Sequence, residues 1–323
     1  MWLNKIRNPL LFQGSSKKEN YFEGWYYKQV SRDHKRVISF IPGISSFNND
    51  VHSFVQYIYV SLDDDNKKLI KTGYVKYPIE DFKFNNNPFR LQIADNIFTE
   101  STITIKMVDN NIDIEGKLNL DLFTTIKKSV LTPNIMVFFA YIPKMECYHG
   151  IVSMNHRVNG TIRIDSEDVD FHDGKGYIEK DWGTSFPERY IWIQSNNFNN
   201  SDTSIFCSIA DIPFMGKNFL GFICNLIIAG VEYRFATYNN SKLRVESITK
   251  EKIIITLENN KVKLKIEAYL NETGELIAPK QGEMIKVIKE EVSGKVKIKL
   301  YNKQNGIACE DICYIAGIEV VGF

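Results

Sequence analysis

Residues 101–120 read STITIKMVDNNIDIEGKLNL. Ile103, Ile105 and Met107 alternate with polar residues, the run breaks at Asp109-Asn110-Asn111, and Ile112, Ile114, Leu118 and Leu120 resume the period of two beyond it. Successive side chains of a strand point to opposite faces, so the stretch is an antiparallel hairpin with one apolar and one polar face.

The same pattern recurs along the chain. SFVQYIYVSL, LIKTGYVKY, KIIITLE, KVKLKIEAYL and GKVKIKLY alternate, and DDDNK, FNNNP, YNNSK and ENNK separate such runs with turn-forming residues. Helical periodicity is nearly absent; its best candidate, GEMIKVIKEE at 282–291, is short and leads straight into a strand-like run. Twenty-one Phe and 16 Tyr favour strands as well. The expected fold is all-β, in antiparallel barrels or sandwiches with few helices.

A chain of 323 residues is long for one domain. The polar stretch NGTIRIDSEDVDFHDGKG at 159–176 separates two strand-rich halves, so the expected units are 1–170 and 171–323. A net charge of +1 offers no electrostatic case for nucleic acid. The N-terminal residues lack the apolar run of a secretory signal, and the longest apolar stretch, 219–231, is interrupted by Asn225, so a cytoplasmic protein is expected. Five scattered cysteines read as free, buried thiols.

Chemistry concentrates in GYIEKDWGTSFPERYIWIQSNNF, residues 176–198. Alternation groups Tyr177, Glu179 and Asp181, and after the turn marked by Gly183 and Pro187 it groups Tyr190, Trp192, Gln194 and Asn196. Polar groups on a face that also carries tryptophan are costly to bury unless they bond to each other or to a ligand, so the cluster is a site or a rigid polar plug. Two neighbouring carboxylates raise one pKa and keep a proton at hand, unless Lys180 or Arg189 neutralises them.

In YFEGWYYK, residues 21–28, Glu23, Trp25 and Tyr27 share a face, which suits either a ligand cavity or an acid paired with a basic neighbour. Cys147, His149, His156 and His172 match no metal-motif spacing, and no phosphate loop, nucleophile elbow or CxxC pair occurs. No metal and no cofactor are expected.

YFEGWYYK, the 176–198 stretch, LIAPKQGEM at 276–284 and AGIEVVGF at 316–323 stand in the order of similar motifs in the tocopherol cyclase family, and the resemblance spans about the whole chain. It implies two lipocalin-like antiparallel units and closure of a chromanol ring. An alkene in the prenyl tail of a phenol or hydroquinone is protonated, and the phenolic oxygen attacks the tertiary cation.

On that reading Glu179, Asp181 or Glu23 donates the proton, Trp25, Trp182, Tyr190 and Trp192 stabilise the cation, and Tyr177 or Gln194 handles the phenol hydroxyl, with Tyr27 and Asn196 beside the substrate. Asp181 stands where the plant enzymes are expected to have asparagine. Families related through the same two lipocalin-like units hydrate isoprenoids, so a hydratase, or a non-catalytic carrier of a hydrophobic small molecule, stays open beside the cyclase. Peripheral contact with membrane lipid also fits such a ligand, and the oligomeric state stays undetermined.

Overall fold

The computed structural model describes residues 2–14, 19–63, 65, 67–130, 132–143, 145–214 and 217–323. Among these, strands dominate and the only α-helix is Trp2–Arg7. The chain divides into two compact units, one of residues 1–186 with 275–288 and the other of 187–274 with 289–323.

In the first unit run β1 (Tyr21–Val30), β2 (Arg36–Phe47), β3 (Asp50–Leu62), β4 (Lys68–Pro78), β5 (Phe82–Asn86), β6 (Phe89–Ile93), β7 (Asn96–Thr99), β8 (Thr102–Val108), β9 (Asp113–Leu120), β10 (Cys147–Ile164), β11 (Glu167–Asp170) and β12 (Gly174–Gly183). They form one antiparallel sheet in the order β4-β3-β2-β1-β12-β10-β9-β8-β7-β6-β5, with β11 on β10.

The hairpin expected at 101–120 is β8 and β9, with Met107 opposite Ile114 and Ile103 opposite Leu118. Asp109 builds its turn: Oδ1 accepts from the backbone N–H groups of Asn111 and Ile112 at 2.6 and 3.1 Å. Of the turn read at 63–67, Asp64 and Asn66 lie outside the described residues.

Trp25 and Tyr27 of β1, Phe40 of β2, Val55 of β3, Phe98 of β7 and Ile178 of β12 belong to a single buried cluster, to which most other strands of the sheet also contribute. A sheet whose strands all turn one face to one cluster must coil around it, which is the lipocalin-like arrangement. Residues 275–288 pack on the other face: the Gln56 amide of β3 grips the Ile277 backbone through both its atoms, at 2.6 and 3.2 Å, and Ser45 Oγ donates to Gly282 O at 2.8 Å.

The second sheet comprises β13 (Tyr190–Ser195), β14 (Thr203–Phe214), β15 (Lys217–Ile228), β16 (Val231–Ala236), β17 (Lys242–Ile248), β18 (Lys252–Glu258), β19 (Val262–Tyr269), β20 (Gly274–Lys280), β21 (Glu283–Asn302) and β22 (Gly306–Val321). Its order is β16-β15-β14-β13-β22-β21-β19-β18-β17, with β20 paired to β21. Ile191, Ile193, Cys207, Cys224 and Ile318 illustrate its buried apolar face.

Three expectations are adjusted here. Residue 170 closes β11 inside the first unit, because the polar residues around it serve two turns: the β10–β11 hairpin turn at Asp165, with φ 54°, and the turn from Phe171 O to Gly174 N–H that leads from β11 into β12. Turn chemistry marks any hairpin and does not distinguish a join between units. The 282–291 segment is extended, falling largely within β21. All five cysteines are free, but only Cys207, Cys224 and Cys313 are buried; Cys147 and Cys309 are intermediate.

Candidate active site

Strands β1, β12 and β10 run side by side, so register decides which side chains meet. Gly24, Tyr26 and Lys28 stand opposite Asp181, Glu179 and Tyr177, whereas Glu23, Trp25 and Tyr27 stand opposite Trp182, Lys180 and Ile178. Cross-strand partners share a face. Glu23, Trp25 and Tyr27 therefore lie on the opposite face of the sheet from Tyr177, Glu179 and Asp181.

The face with Glu23 is occupied by an ion pair. Lys180 Nζ lies 2.5 Å from Glu23 Oε1, both side chains are fully buried, and Lys180 also donates to Leu11 O. Glu23 accepts further hydrogen bonds from Gln13 N–H, Gly14 N–H and Tyr21 Oη. Burial pushes the Lys180 pKa down to about 8 against the opposing pull of Glu23. Its ammonium sits 4.2 Å from the Trp25 ring centre and 5.3 Å from that of Trp182. These two indoles, expected to face a substrate cation, already stabilise a cation of the protein itself. Trp25 also donates its indole N–H to Leu10 O at 2.7 Å.

The opposite face carries the acid–base row. Tyr177 Oη donates to Glu179 Oε2 at 2.5 Å, and both residues are buried. From β10, where His149 is the direct partner of Asp181, the imidazole reaches both acids: Nδ1 lies 2.8 Å from Asp181 Oδ1 and Nε2 lies 3.7 Å from Glu179 Oε2. Burial works against a charge on His149, yet Asp181 and then Glu179 outweigh it and raise its pKa to about 9. Burial, then the Glu179 charge, pushes the Tyr177 phenol well above its usual value. Cys147 Sγ lies 3.9 Å from Asp181 Oδ1, and burial followed by the Asp181 charge raises its thiol pKa too.

Neither basic residue weighed as a neutraliser of the acids does so: Lys180 is held by Glu23, and Arg189 pairs with Asp211 at 2.8 Å. The neutralising partner is His149. Its only signal in the sequence is that CYHG, residues 147–150, places Cys147 and His149 in the same alternation.

Donor atoms of His149, Glu179 and Asp181 fall within 4.8 Å of one another, the one such group among the described residues. These three could hold a metal ion only by giving up the proton shared between the imidazole and Asp181.

Tyr190, Trp192, Gln194 and Asn196 belong to the second unit. Tyr190 Oη donates to Glu319 Oε2 at 2.5 Å, the Trp192 ring lies over Gly317, and Asn196 Oδ1 accepts from Asn197 Nδ2 at 2.9 Å. Gln194 is fully buried on the same face of β13 as Tyr190 and Trp192.

Fold and site together define a class: an all-β, two-unit, lipocalin-like protein with a row of a buried tyrosine and carboxyl, Tyr177 and Glu179, and a half-buried carboxyl and histidine, Asp181 and His149. The chain belongs to the tocopherol cyclase-like family, whose model matches residues 130–322. A curated relative, a probable chloroplastic tocopherol cyclase from Oryza sativa subsp. japonica, is 29% identical over 68 residues, covering 21% of this chain and only 14% of the rice protein.

Among solved structures, CghA with Sch210972 aligns with a TM-score of 0.61 at 6% identity, covering 93% of this chain and 88% of that one. Kievitone hydratase from Nectria haematococca aligns with a TM-score of 0.53 at 11% identity, covering 97% and 93%. At such identities the likeness is one of fold.

Proposed function

We propose that this chain is an acid–base enzyme of the tocopherol cyclase type, closing a ring on a prenylated phenol or hydroquinone. The observation that carries the reading is the His149 imidazole held between Asp181 and Glu179, with Tyr177 bonded to Glu179. Protonating an alkene requires a carboxylic acid that is neutral when the substrate is bound and strong when it reacts. An apolar substrate covering the row excludes water and raises the carboxyl pKa, which loads the proton onto Glu179. As the proton leaves, the new carboxylate is stabilised by the nearby imidazolium and by the Tyr177 hydroxyl, which drives the transfer.

The proton passes to the less substituted alkene carbon and leaves a tertiary cation. The phenolic oxygen forms the new C–O bond, and its proton returns to a carboxylate of the row. Product and substrate are isomers, and neither an oxidant nor a cofactor enters the balance. Family membership and the name of the rice relative support the substrate class.

The test is incubation with prenylated hydroquinones in deuterated water. A cyclase gives a product of the substrate's composition carrying one new deuterium. A product heavier by a water molecule identifies a hydratase instead, and ligand-induced stabilisation with no product identifies a carrier.

A further inference from the structure

The helix Trp2–Arg7 and the irregular segment between β9 and β10 are tied together at the helix end. The last carbonyls of a helix have no partner within it. Here Gln13 Nε2 donates to Lys5 O at 3.0 Å, Asn134 Nδ2 to Ile6 O at 2.9 Å and Lys128 Nζ to Arg7 O at 2.9 Å. The last two bonds hold residues 128 and 134 against the helix.

Charge segregates in these segments. Residues 2–14 and 122–143 contain no Asp or Glu, yet they carry Lys5, Arg7, Lys127 and Lys128 in a chain whose net charge is only +1. Burial around its ammonium, and then the charge of Arg7, lowers the Lys128 pKa. Among the described residues no carboxylate pairs with Arg7 or Lys128. Two like charges held together with no acid beside them favour an anion from outside.

Apolar side chains stand beside these cations. Val130, two residues beyond Lys128, is 77% exposed, and Phe138 is 50% exposed. Tyr141 Oη donates to Val130 O at 3.2 Å, which brings Val130 to the 3₁₀ turn Val137–Tyr141 that carries Phe138. Phe139, Tyr141 and Ile142 of the same stretch are half-buried. An exposed apolar residue by itself needs no explanation, but two beside an acid-free group of cations narrow the choice of partner.

A second copy of the chain fits poorly, because a twofold interface would set Arg7 and Lys128 against their own copies. A bilayer with anionic headgroups uses both features, since phosphates meet the cations while the acyl boundary receives the valine and the phenylalanine. We propose that the end of the Trp2–Arg7 helix and the 122–143 segment dock this chain on anionic phospholipid bilayers, with Arg7 and Lys128 at the headgroups and Val130 and Phe138 below them. The docking surface stands whether or not the chain is a cyclase.

The test is sedimentation of the full chain with vesicles of phosphatidylglycerol and phosphatidylcholine in equal parts, against vesicles of phosphatidylcholine alone. The expected result is at least about tenfold tighter binding to the anionic vesicles, weakened by added salt. Val130→Glu should weaken that binding by at least about tenfold, and Arg7→Glu, which neutralises Lys128, by at least about fivefold. Both positions are exposed, so melting temperatures should match the wild type; should a variant misfold, the wild-type comparison of the two vesicles still decides. Binding that ignores headgroup charge, or no binding, overturns the proposal, and so does binding that folded Val130→Glu leaves intact. A wild-type dimer that Val130→Glu turns into a monomer would assign the patch to a second copy and overturn it as well.

Discussion

His149 Nδ1 lies 2.8 Å from Asp181 Oδ1, and the two residues are direct partners across β10 and β12. The contact is fixed by strand register, so it persists without any loop having to order. With Glu179 near the other ring nitrogen, it raises the His149 pKa from an ordinary 6.5 to about 9. A folded pKa above the unfolded one means that the stabilisation is complete below about pH 6.5 and is lost as pH rises through about 9. The part at stake is on the order of 3 kcal/mol. Urea midpoints should fall between those pH values in the wild type and lack that fall in His149→Phe; parallel curves for the two proteins would remove the charged histidine from the account.

Glu179→Gln and Asp181→Asn should separate. Glu179 accepts the Tyr177 hydroxyl and is the proposed proton donor, so its amide loses about 10²–10⁴ in turnover. An asparagine at 181 can still accept from His149 Nδ1–H through its carbonyl, and the loss should stay within about tenfold at a pH near 6. That variant also loses the charge that acts most strongly to raise the His149 pKa, so the alkaline limb of its pH profile should move towards neutrality. Equal losses in kcat for the two variants would contradict the assignment of Glu179.

The Lys180–Glu23 pair predicts a purely structural phenotype. Lys180→Met leaves the Glu23 carboxylate buried, still bonded to Gln13 N–H, Gly14 N–H and Tyr21 Oη but without its cation, at a cost of about 3–5 kcal/mol. Adding Glu23→Gln should recover a large share of it. Urea denaturation of the two single variants and the double variant measures the coupling, and additive losses would mean that the two charges do not act as a pair.

Local alternation made much of this legible. It paired β8 with β9 through the Asp109 turn, and it placed Tyr177, Glu179 and Asp181 on one face, as their shared row shows. What it could not supply is register between strands distant in the chain. Glu23 looked equivalent to Glu179 until pairing set it opposite Trp182 and next to Lys180. His149 acquired its role only because β10 lies beside β12. The grouping of 275–288 with the first unit was equally hidden, since it rests on non-local bonds such as those of Gln56 to Ile277.

In the second unit the tightest test concerns Gly317. A Cβ there would come within 2.5 Å of the Trp192 ring and 3.5 Å of Glu290 Oε1. Trp192 is a cross-strand partner of Glu319, and Glu319 accepts from Tyr190, so a displaced indole presses on a row already bonded together. Forcing one extra carbon into such packing costs about 1–3 kcal/mol. Gly317→Ala should therefore lower the urea midpoint by that amount and change the Trp192 emission, isolated by comparison with Trp192→Phe. Serine should do no better than alanine, because the obstacle is the Cβ itself. A Gly317→Ala protein with unchanged midpoint and emission would show that the indole does not need the space which glycine leaves.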